Sequence, residues 1–542
     1  MKNVATVKKT NEILVQFGLH AKKNFGQNFL VVQKTVNDII ELSDIDKDSV
    51  IIEIGPGVGA LTDVLLDKFK RVICFEIDSS LIEPLQYTFS DKDNFELYNK
   101  DILKVDLNKF IEDNLKNEKV VIFSNLPYYI TSEILIKLFN CKNVTKIVTM
   151  MQKEVAHRIL TADKGKDENE LTLLAKHYCD FKLVKEVSKN DFFPKPHIDS
   201  TVLAFKIKQN VSDINEIIKV LFKQRRKTIY NNLSSEYNKN FVLDLLKKLK
   251  IDQNKRSEDL TVLDIEKIDA YIKGNLLFAP AKINLNLQVF DKVDDKHELR
   301  SIIQKIDLYD EIIVNPSNEL IIETKDIPQE KNIIYKAIKE YEKHINDEIK
   351  LYIKVIKNIP SEAGLGGGSS DAAAILMYLN NIYHLDEKEL IDIAIKVGSD
   401  VPLFLKEGTV EISKTGEELI SVIDNSKFYY LLVKDNFGIN TGLCYKKFDE
   451  INEKEHFNFE IIKEGLKNND FNMVLSEIKN DLLKPALSIE NRISKLLKIN
   501  PNAFMTGSGS AVVIPFDNFE KCEELFKEIV KKHLFVKIVQ KV

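Results

Sequence analysis

Tryptophan is absent from this 542-residue chain, and only five cysteines are present. Cys74, Cys141, Cys179, Cys444 and Cys522 are scattered, with no C-x-x-C spacing. That argues against a zinc site and a disulfide framework, and it fits a reducing cytoplasm. No run of about eighteen apolar residues occurs, so no membrane span is expected. The first residues carry lysines but no apolar segment, so they do not read as a secretory signal. No internal repeat of the solenoid kind is visible. The lack of tryptophan, beside abundant Lys, Asn and Ile, resembles an AT-rich coding bias and says nothing about chemistry.

What is present is the composition of an ordinary soluble protein: 44% hydrophobic and 30% charged. The length exceeds what one core supports, so two to four domains are expected. The net charge of -5 hides an asymmetry. Residues 1–275 hold 43 Lys and Arg against 40 Asp and Glu, and the rest hold 35 against 43. A slightly basic first half suits nucleic acid; an acidic second half repels it.

From residue 50 to about 208, short apolar runs alternate with helical patterns. Strands are expected over 50–54, 72–76, 95–98, 120–124, 147–152 and 201–207, and helices over 61–67, 80–87 and 132–138. Such alternation implies an α/β sheet with helices on both faces. Residues 211–271 read as helix only, for example 214–222 and 241–249. Near Lys273-Gly274-Asn275 the period changes to strand-like alternation, at 276–280 and 283–289. A second composition shift near 427–433 suggests a further lobe. The expected domains are 1–208, 209–274, 275–430 and 431–542.

The first glycine-rich loop is Glu53-Ile54-Gly55-Pro56-Gly57-Val58-Gly59, directly after an apolar run. A strand, a tight glycine turn and a helix let a nucleotide approach backbone. Glu76 ends the next strand, where a carboxylate can accept from ribose hydroxyls. Asp101 follows the third, where it can accept from an adenine amine. Ser124-Asn125-Leu126-Pro127-Tyr128-Tyr129 follows the fourth and fits chemistry on an exocyclic base amine. The Asn125 carboxamide oxygen and the Leu126 carbonyl would accept its two N–H bonds, aiming the lone pair at a methyl sulfonium. Tyr128 would stack on the flipped base. No strong base is needed, because the amine loses its proton after attack.

These segments resemble the small-subunit ribosomal RNA adenine dimethyltransferases. So do residues 22–30, Met151-Gln152-Lys153-Glu154-Val155, the Phe192-Phe193-Pro194-Lys195-Pro196 segment and Gln224-Arg225-Arg226-Lys227-Thr228. The family methylates two adjacent adenines near the RNA 3′ end, using S-adenosylmethionine. The resemblance implies that Asn28 and Leu30, with Gly55, Gly57, Glu76, Asp101 and Asn125, line the cofactor site. It places Phe193 beside Tyr128 around the target base. Lys223, Arg225, Arg226 and Lys227 would contact RNA phosphates, and Lys22 and Lys23 are treated likewise. The cousins that methylate large-subunit RNA share the Asn-Leu-Pro-Tyr region; Phe25-Gly26-Gln27 and the Gly55–Gly59 segment favour the small-subunit branch. Where the family shows Tyr-Gly-x-Leu, this chain has Glu168-Asn169-Glu170-Leu171.

The second loop is Pro360-Ser361-Glu362-Ala363-Gly364-Leu365-Gly366-Gly367-Gly368-Ser369-Ser370, running into a helical stretch. No Gly-Lys-Ser/Thr closes it, so it is not a Walker loop. Backbone N–H groups and a helix N-terminus can still receive ATP phosphates, with the two serines near phosphate or Mg²⁺. With Pro280-Ala281-Lys282-Ile283-Asn284-Leu285 and Thr506-Gly507-Ser508-Gly509-Ser510 it resembles the galactose, homoserine, mevalonate and phosphomevalonate kinase superfamily. Within it, His297, the Asn332 segment and Gly398-Ser399-Asp400-Val401-Pro402 resemble the 4-diphosphocytidyl-2-C-methyl-D-erythritol kinases of isoprenoid synthesis. That implies Asp400 takes the hydroxyl proton, Lys282 stands near the transferring phosphate, and His297 and Tyr445 bind the cytosine. Lys296 stands where the family has a stacking tyrosine, after Asp295 in place of glycine. Gly438-Ile439-Asn440-Thr441 replaces Gly-Val-Ser-Thr.

The expected molecule is a cytoplasmic bifunctional enzyme. A Rossmann-like α/β methyltransferase with a small helical subdomain precedes a two-lobed α+β kinase. The expected cofactors are S-adenosylmethionine, ATP and Mg²⁺, with no metal held by protein side chains. The expected partners are small-subunit rRNA, or an immature small subunit, and a cytidine-diphosphate sugar alcohol, with neither DNA nor membrane. The alternatives are a kinase for another small alcohol, a non-catalytic kinase-like scaffold, and a first half serving mainly in ribosome assembly.

Overall fold

A computed structural model describes residues 2–22, 26–125, 130–141, 143–161, 169–293, 296–414, 416, 418–451 and 455–542, with backbone only at Lys296. Two compact units divide the chain, Met1–Asp269 and Ala270–Val542.

The first unit holds β1 (Phe29–Leu30), β2 (Val50–Ile54), β3 (Val72–Glu76), β4 (Phe95–Asn99), β5 (Val120–Asn125), β6 (Val144–Gln152), β7 (Cys179–Val187), β8 (Phe192–Phe193) and β9 (Ser200–Ile207). Seven of them form one sheet in the order β4-β3-β2-β5-β6-β9-β7. β2 through β6 run parallel, while β9 is antiparallel to both β6 and β7. Every residue of β2 and β3 is buried, as an apolar run covered on both faces must be. The order reverses at β2, whose neighbours are β3 and β5, and this opens a crevice at the strands' carboxyl ends. β1 and β8 form a separate two-stranded ladder.

The helix Ala60–Lys68 starts at Gly59, in the left-handed region at φ 92. A Cβ there would lie 2.5 Å from the Phe89 ring, so both the turn and the packing require glycine. The helix expected over 80–87 is split into a 3₁₀ turn, Ser79–Leu81, and a helix, Ile82–Thr88, because the Asp78 carboxylate caps the turn at Ser80 N. β7 was not expected at all. Its register slips between Leu183 and Lys185, and that bulge breaks the two-residue period a strand shows in sequence. Beyond β9 the chain is helical: Asn215–Phe222, Ile229–Leu233, Lys239–Lys248 and Val262–Ile272. Buried His177 joins this part to the sheet domain, with Nδ1 3.0 Å from Glu266 Oε1 and Nε2 2.8 Å from the Ser212 carbonyl.

The second unit holds two sheets. The first comprises β10 (Leu276–Asn284), β11 (Gln288–Val293), β12 (Lys296–Pro316), β13 (Ile321–Thr324), β14 (Leu351–Ile356), β15 (Thr409–Ser413) and β16 (Glu418–Val422). The 21-residue β12 is its spine, pairing with β10, β11, β14 and β15. The second sheet, ordered β18-β19-β17-β20, uses β17 (Tyr429–Lys434), β18 (Phe504–Met505), β19 (Val512–Phe516) and β20 (Phe535–Gln540). The strand expected over 283–289 is interrupted: β10 ends at Asn284, and Leu287 N turns to the Lys479 carbonyl. The helix Gly367–Tyr383 buries Ala372, Ala373, Ile375 and Leu376 in a core shared with Ala279 and Ile303 of the first sheet.

Candidate active sites

In the first unit, Asn28, Leu30, Gly55, Gly57, Glu76, Asp101 and Asn125 line one cavity at the carboxyl ends of β2, β3 and β5. Glu76 is buried. Its Oε2 accepts from Gly57 N (3.2 Å) and its Oε1 from Asp78 N (2.8 Å). Burial pushes this carboxyl up to about 7, against the two backbone bonds. Glu53, the first residue of the loop motif, lines the same cavity and was missed as a site residue. It accepts from Thr62 Oγ1 at 2.7 Å, and burial likewise pushes it up to about 7. Its signal was there, as the only carboxylate at the carboxyl end of an otherwise apolar strand.

Asp101 Oδ1 accepts from Leu103 N at 3.0 Å, which turns the carboxylate at the cavity edge. Asn125, the last residue of β5, donates from Nδ2 to the Asn28 carbonyl at 3.4 Å. Asn125 itself lines the cavity. Phe193 does not line this cavity; its neighbour Phe192 does, while Phe193 is the strand partner of Phe29. Leu126, Tyr128 and Lys23 lie outside the described residues. Lys223, Arg225, Arg226 and Lys227 are all exposed, with Lys223 paired to Glu236 at 2.6 Å. Lys22 departs from expectation. Its ammonium lies 2.7 Å from the buried Asp78 carboxylate, so it serves the fold rather than an RNA phosphate.

In the second unit, Lys282 of β10 is buried and donates to Asn284 Oδ1 at 2.6 Å. Burial lowers its pKa, and the nearby Asp400 charge partly opposes this. The glycine-rich loop crosses directly above it. A Cβ on Gly366 would lie 3.1 Å from Lys282 Cγ, and one on Gly507 3.3 Å from its Nζ. Gly364, at φ +74, approaches the Thr506 carbonyl so closely that a Cβ would lie 2.3 Å from it. Asn284 N is bonded to Thr506 Oγ1 at 2.8 Å. All three sequence segments therefore converge on Lys282.

The loop residues divide by role. Gly366, Gly367, Gly368 and Ser369 line an open cavity. Ala363 and Leu365 point instead into the apolar core. Ser370 is buried with its hydroxyl unbonded and does not line the cavity, contrary to a phosphate contact from its side chain. The Glu362 carbonyl accepts from Ser510 N at 3.2 Å, and its side chain lies against Gly438. Pro360 and Ser361 lead into the turn.

Three charged residues of this cavity were missed, Lys331, Lys357 and Asp371. Lys357 bridges Asp371 Oδ2, at 2.7 Å, and Asp310. Asp310 in turn accepts from the amides of Asn358 and Ile359, fixing the chain as it enters the loop. Burial pushes Asp371 up to about 7 despite Lys357. Only long-range pairing across β12 brings Lys357, Asp371 and Asp310 together, so spacing in the sequence could not show it.

His297 and Tyr445 do come together, as rings stacked 5.4 Å apart at 21°. His297 Nδ1 donates to the Phe290 carbonyl at 2.8 Å, and Nε2 lies 2.8 Å from Asp449 Oδ1. In this arrangement Nδ1 is engaged, while the buried Nε2 has a carboxylate beside it but no hydrogen-bond partner, and no base fits between the two rings. Among the described residues, no group of three or more His, Cys, Asp or Glu is placed to hold a metal ion, and no helix is long and apolar enough to cross a membrane.

Comparison with known proteins places both units. The ribosomal RNA adenine dimethylase family matches residues 18–273, and the GHMP kinases N terminal domain matches residues 332–408. Ribosomal RNA small subunit methyltransferase A of Alkaliphilus metalliredigens (strain QYMF) is 36% identical over 273 residues, covering 48% of this chain and 95% of that protein. Its namesake in Staphylococcus aureus (strain Newman) is 38% identical over 283 residues, covering 49% and 95%. A solved 4-(cytidine 5'-diphospho)-2C-methyl-D-erythritol kinase is 25% identical, covering 49% of this chain and 100% of its own, with a TM-score of 0.43. The chain belongs to the ribosomal RNA adenine dimethylase family through its first half, and it is an enzyme that joins such a methyltransferase domain to a GHMP kinase domain.

Proposed function

We propose that the first unit dimethylates N6 of two adjacent adenosines near the 3′ end of small-subunit rRNA, and that the second phosphorylates the 2-hydroxyl of 4-diphosphocytidyl-2-C-methyl-D-erythritol. The observation that carries the first reading is the single cavity gathering Glu76, Asp101 and Asn125. S-adenosylmethionine, when bound, supplies an electrophilic methyl group. The two Glu76 oxygens each keep a lone pair for a ribose hydroxyl. Asp101 stands at the edge for an adenine amine. Asn125, whose Nδ2 donates to the Asn28 carbonyl, would turn Oδ1 toward the target amine. That polarity orients the lone pair without removing a proton first. Tyr128 and Phe193 would hold the flipped base, and the exposed Lys223–Lys227 cluster the RNA backbone.

For the second unit the reading rests on Lys282, Asp400 and the glycine-rich loop meeting at one place. ATP, when bound, supplies the phosphoryl group, with Mg²⁺ carried mainly on its phosphates. The Gly366–Ser369 turn opens the helix Gly367–Tyr383 and presents backbone N–H groups to the phosphates. Lys282 offers a buried cation near the transfer point, and Asp400 an acceptor for the hydroxyl proton. The His297 ring closed onto Tyr445, with Nδ1 bonded to the Phe290 carbonyl, favours a second reading, a smaller alcohol without a cytosine.

ADP release with Mg-ATP tests both readings, using the diphosphocytidyl alcohol beside mevalonate and homoserine. Turnover with the first alone, abolished in Asp400→Asn, supports the cytidine reading. Turnover only with a control moves the unit to another branch. Silence on all three leaves a scaffold.

A further inference from the structure

We infer that Asp78 is a positioning residue for cofactor binding: it latches the segment that roofs the first unit's cavity onto the residue that anchors the cofactor. This rests on the methyltransferase reading. Asp78 follows β3 and is 2% exposed. Its Oδ1 accepts from Lys22 Nζ at 2.7 Å, and from Ser80 N and Oγ at 3.0 and 2.7 Å. Its Oδ2 accepts from Gln27 Nε2 at 2.8 Å. Gln27 Oε1 in turn accepts from Lys22 N at 2.8 Å. One buried carboxylate thus grips Lys22 and Gln27 together. Burial alone would raise its pKa, but the Lys22, Ser80 and Gln27 bonds outweigh this and hold it low, so the latch is ionised at neutral pH.

A helix cap would need only the Ser80 contacts. The second oxygen, and the lysine, are surplus to a cap and point at the roof. The roof is Gly26–Leu30, which lines the cavity. Its far end is held by strand pairing, Phe29 to Phe193 and Leu30 to Phe192. The Phe29 ring lies 3.0 Å from where a Gly57 Cβ would stand. The near end has one long backbone bond, Gln27 N to the Lys22 carbonyl at 3.4 Å, and is otherwise held by side chains, which a point substitution can release. The backbone of Asp78 donates to Glu76 Oε1, so one residue sets both the roof and the ribose-binding carboxylate.

The test uses the full chain with small-subunit RNA and compares Gln27→Ala, Asp78→Asn and the double variant. Gln27→Ala removes the roof contact and leaves the Ser80 cap. It should raise the KM for S-adenosylmethionine about tenfold, the loss expected for one charge-assisted hydrogen bond. kcat and the melting temperature should hold. Asp78→Asn should raise KM at least as far, and the double variant no further than Asp78→Asn alone. An unchanged KM in Gln27→Ala, fully additive losses, or an effect seen only in melting temperature would overturn the latch. If wild type transfers methyl groups and the variants match it, only the latch fails. If wild type transfers none, the methyltransferase reading fails and the latch with it.

Discussion

Glu76, the carboxylate proposed to hold the cofactor's ribose, is buried in the cavity wall. Burial pushes it up to about 7, so its charge changes near neutral pH. Accepting from two ribose hydroxyls requires the ionised form. Above about 7 the free site is already ionised; below it, binding must first expel a proton. Affinity for S-adenosylmethionine should therefore fall as pH drops, by up to about tenfold per unit. Titration calorimetry from pH 6 to 8.5 reads this directly. Glu76→Gln should weaken binding and flatten the profile, and a flat wild-type profile would remove Glu76 from the ribose. In the other unit, Lys282→Ala removes the buried cation at the loop. It should lower kcat by roughly 100-fold or more with little change in melting temperature. Loss of folding instead would mean that Lys282 is structural.

Residues such as these were legible because each sits at the end of an apolar run, where the motif and the strand coincide. Lys357, Asp310 and Asp371 were not. They lie on three elements and meet only through the β12 ladder, which no local spacing reports. Lys22 misled for the opposite reason: a lysine in a basic stretch looks solvent-facing until its partner, 56 residues away, is known.

Among elements, the glycine-rich loop of the second unit is the most constrained. Gly364 is in the left-handed region, and its Cβ position is 2.3 Å from the Thr506 carbonyl. Gly364→Ala must move one loop or the other. The strain alone is worth about 2 kcal/mol, or roughly 5 °C in the melting temperature of that unit. ATP affinity should fall too, while methyl transfer stays unchanged. Calorimetry of the full chain beside both activity assays separates these effects, and an undisturbed kinase would refute the loop-to-loop contact. The central parallel strands β2, β3 and β5 were readable because they are buried on both faces and so almost uniformly apolar. β7 was not, since a bulge and a solvated face blur its period, and the break at Asn284 follows from a distant carbonyl at Lys479 rather than from any local turn residue.

At the scale of the whole molecule, two catalytic domains share one chain without an evident shared metabolite. The charge asymmetry agrees: the half proposed to meet RNA is the more basic one. The two units divide near residue 270 with a core each, so residues 1–274 and 275–542 produced separately should both fold and each keep its activity. Neither fragment folding alone would show that the domains depend on one another.

The central claim is that one polypeptide runs two chemistries at two independent sites. It is tested most directly by assaying one purified chain, and its Asn125→Ala and Asp400→Asn variants, for both reactions. Methyl transfer from S-adenosylmethionine to small-subunit RNA and ADP release with the diphosphocytidyl alcohol are measured side by side. The account predicts that wild type does both, that Asn125→Ala loses only methyl transfer, and that Asp400→Asn loses only phosphorylation. A variant that abolishes both reactions while remaining folded, or a wild type lacking one, would contradict it.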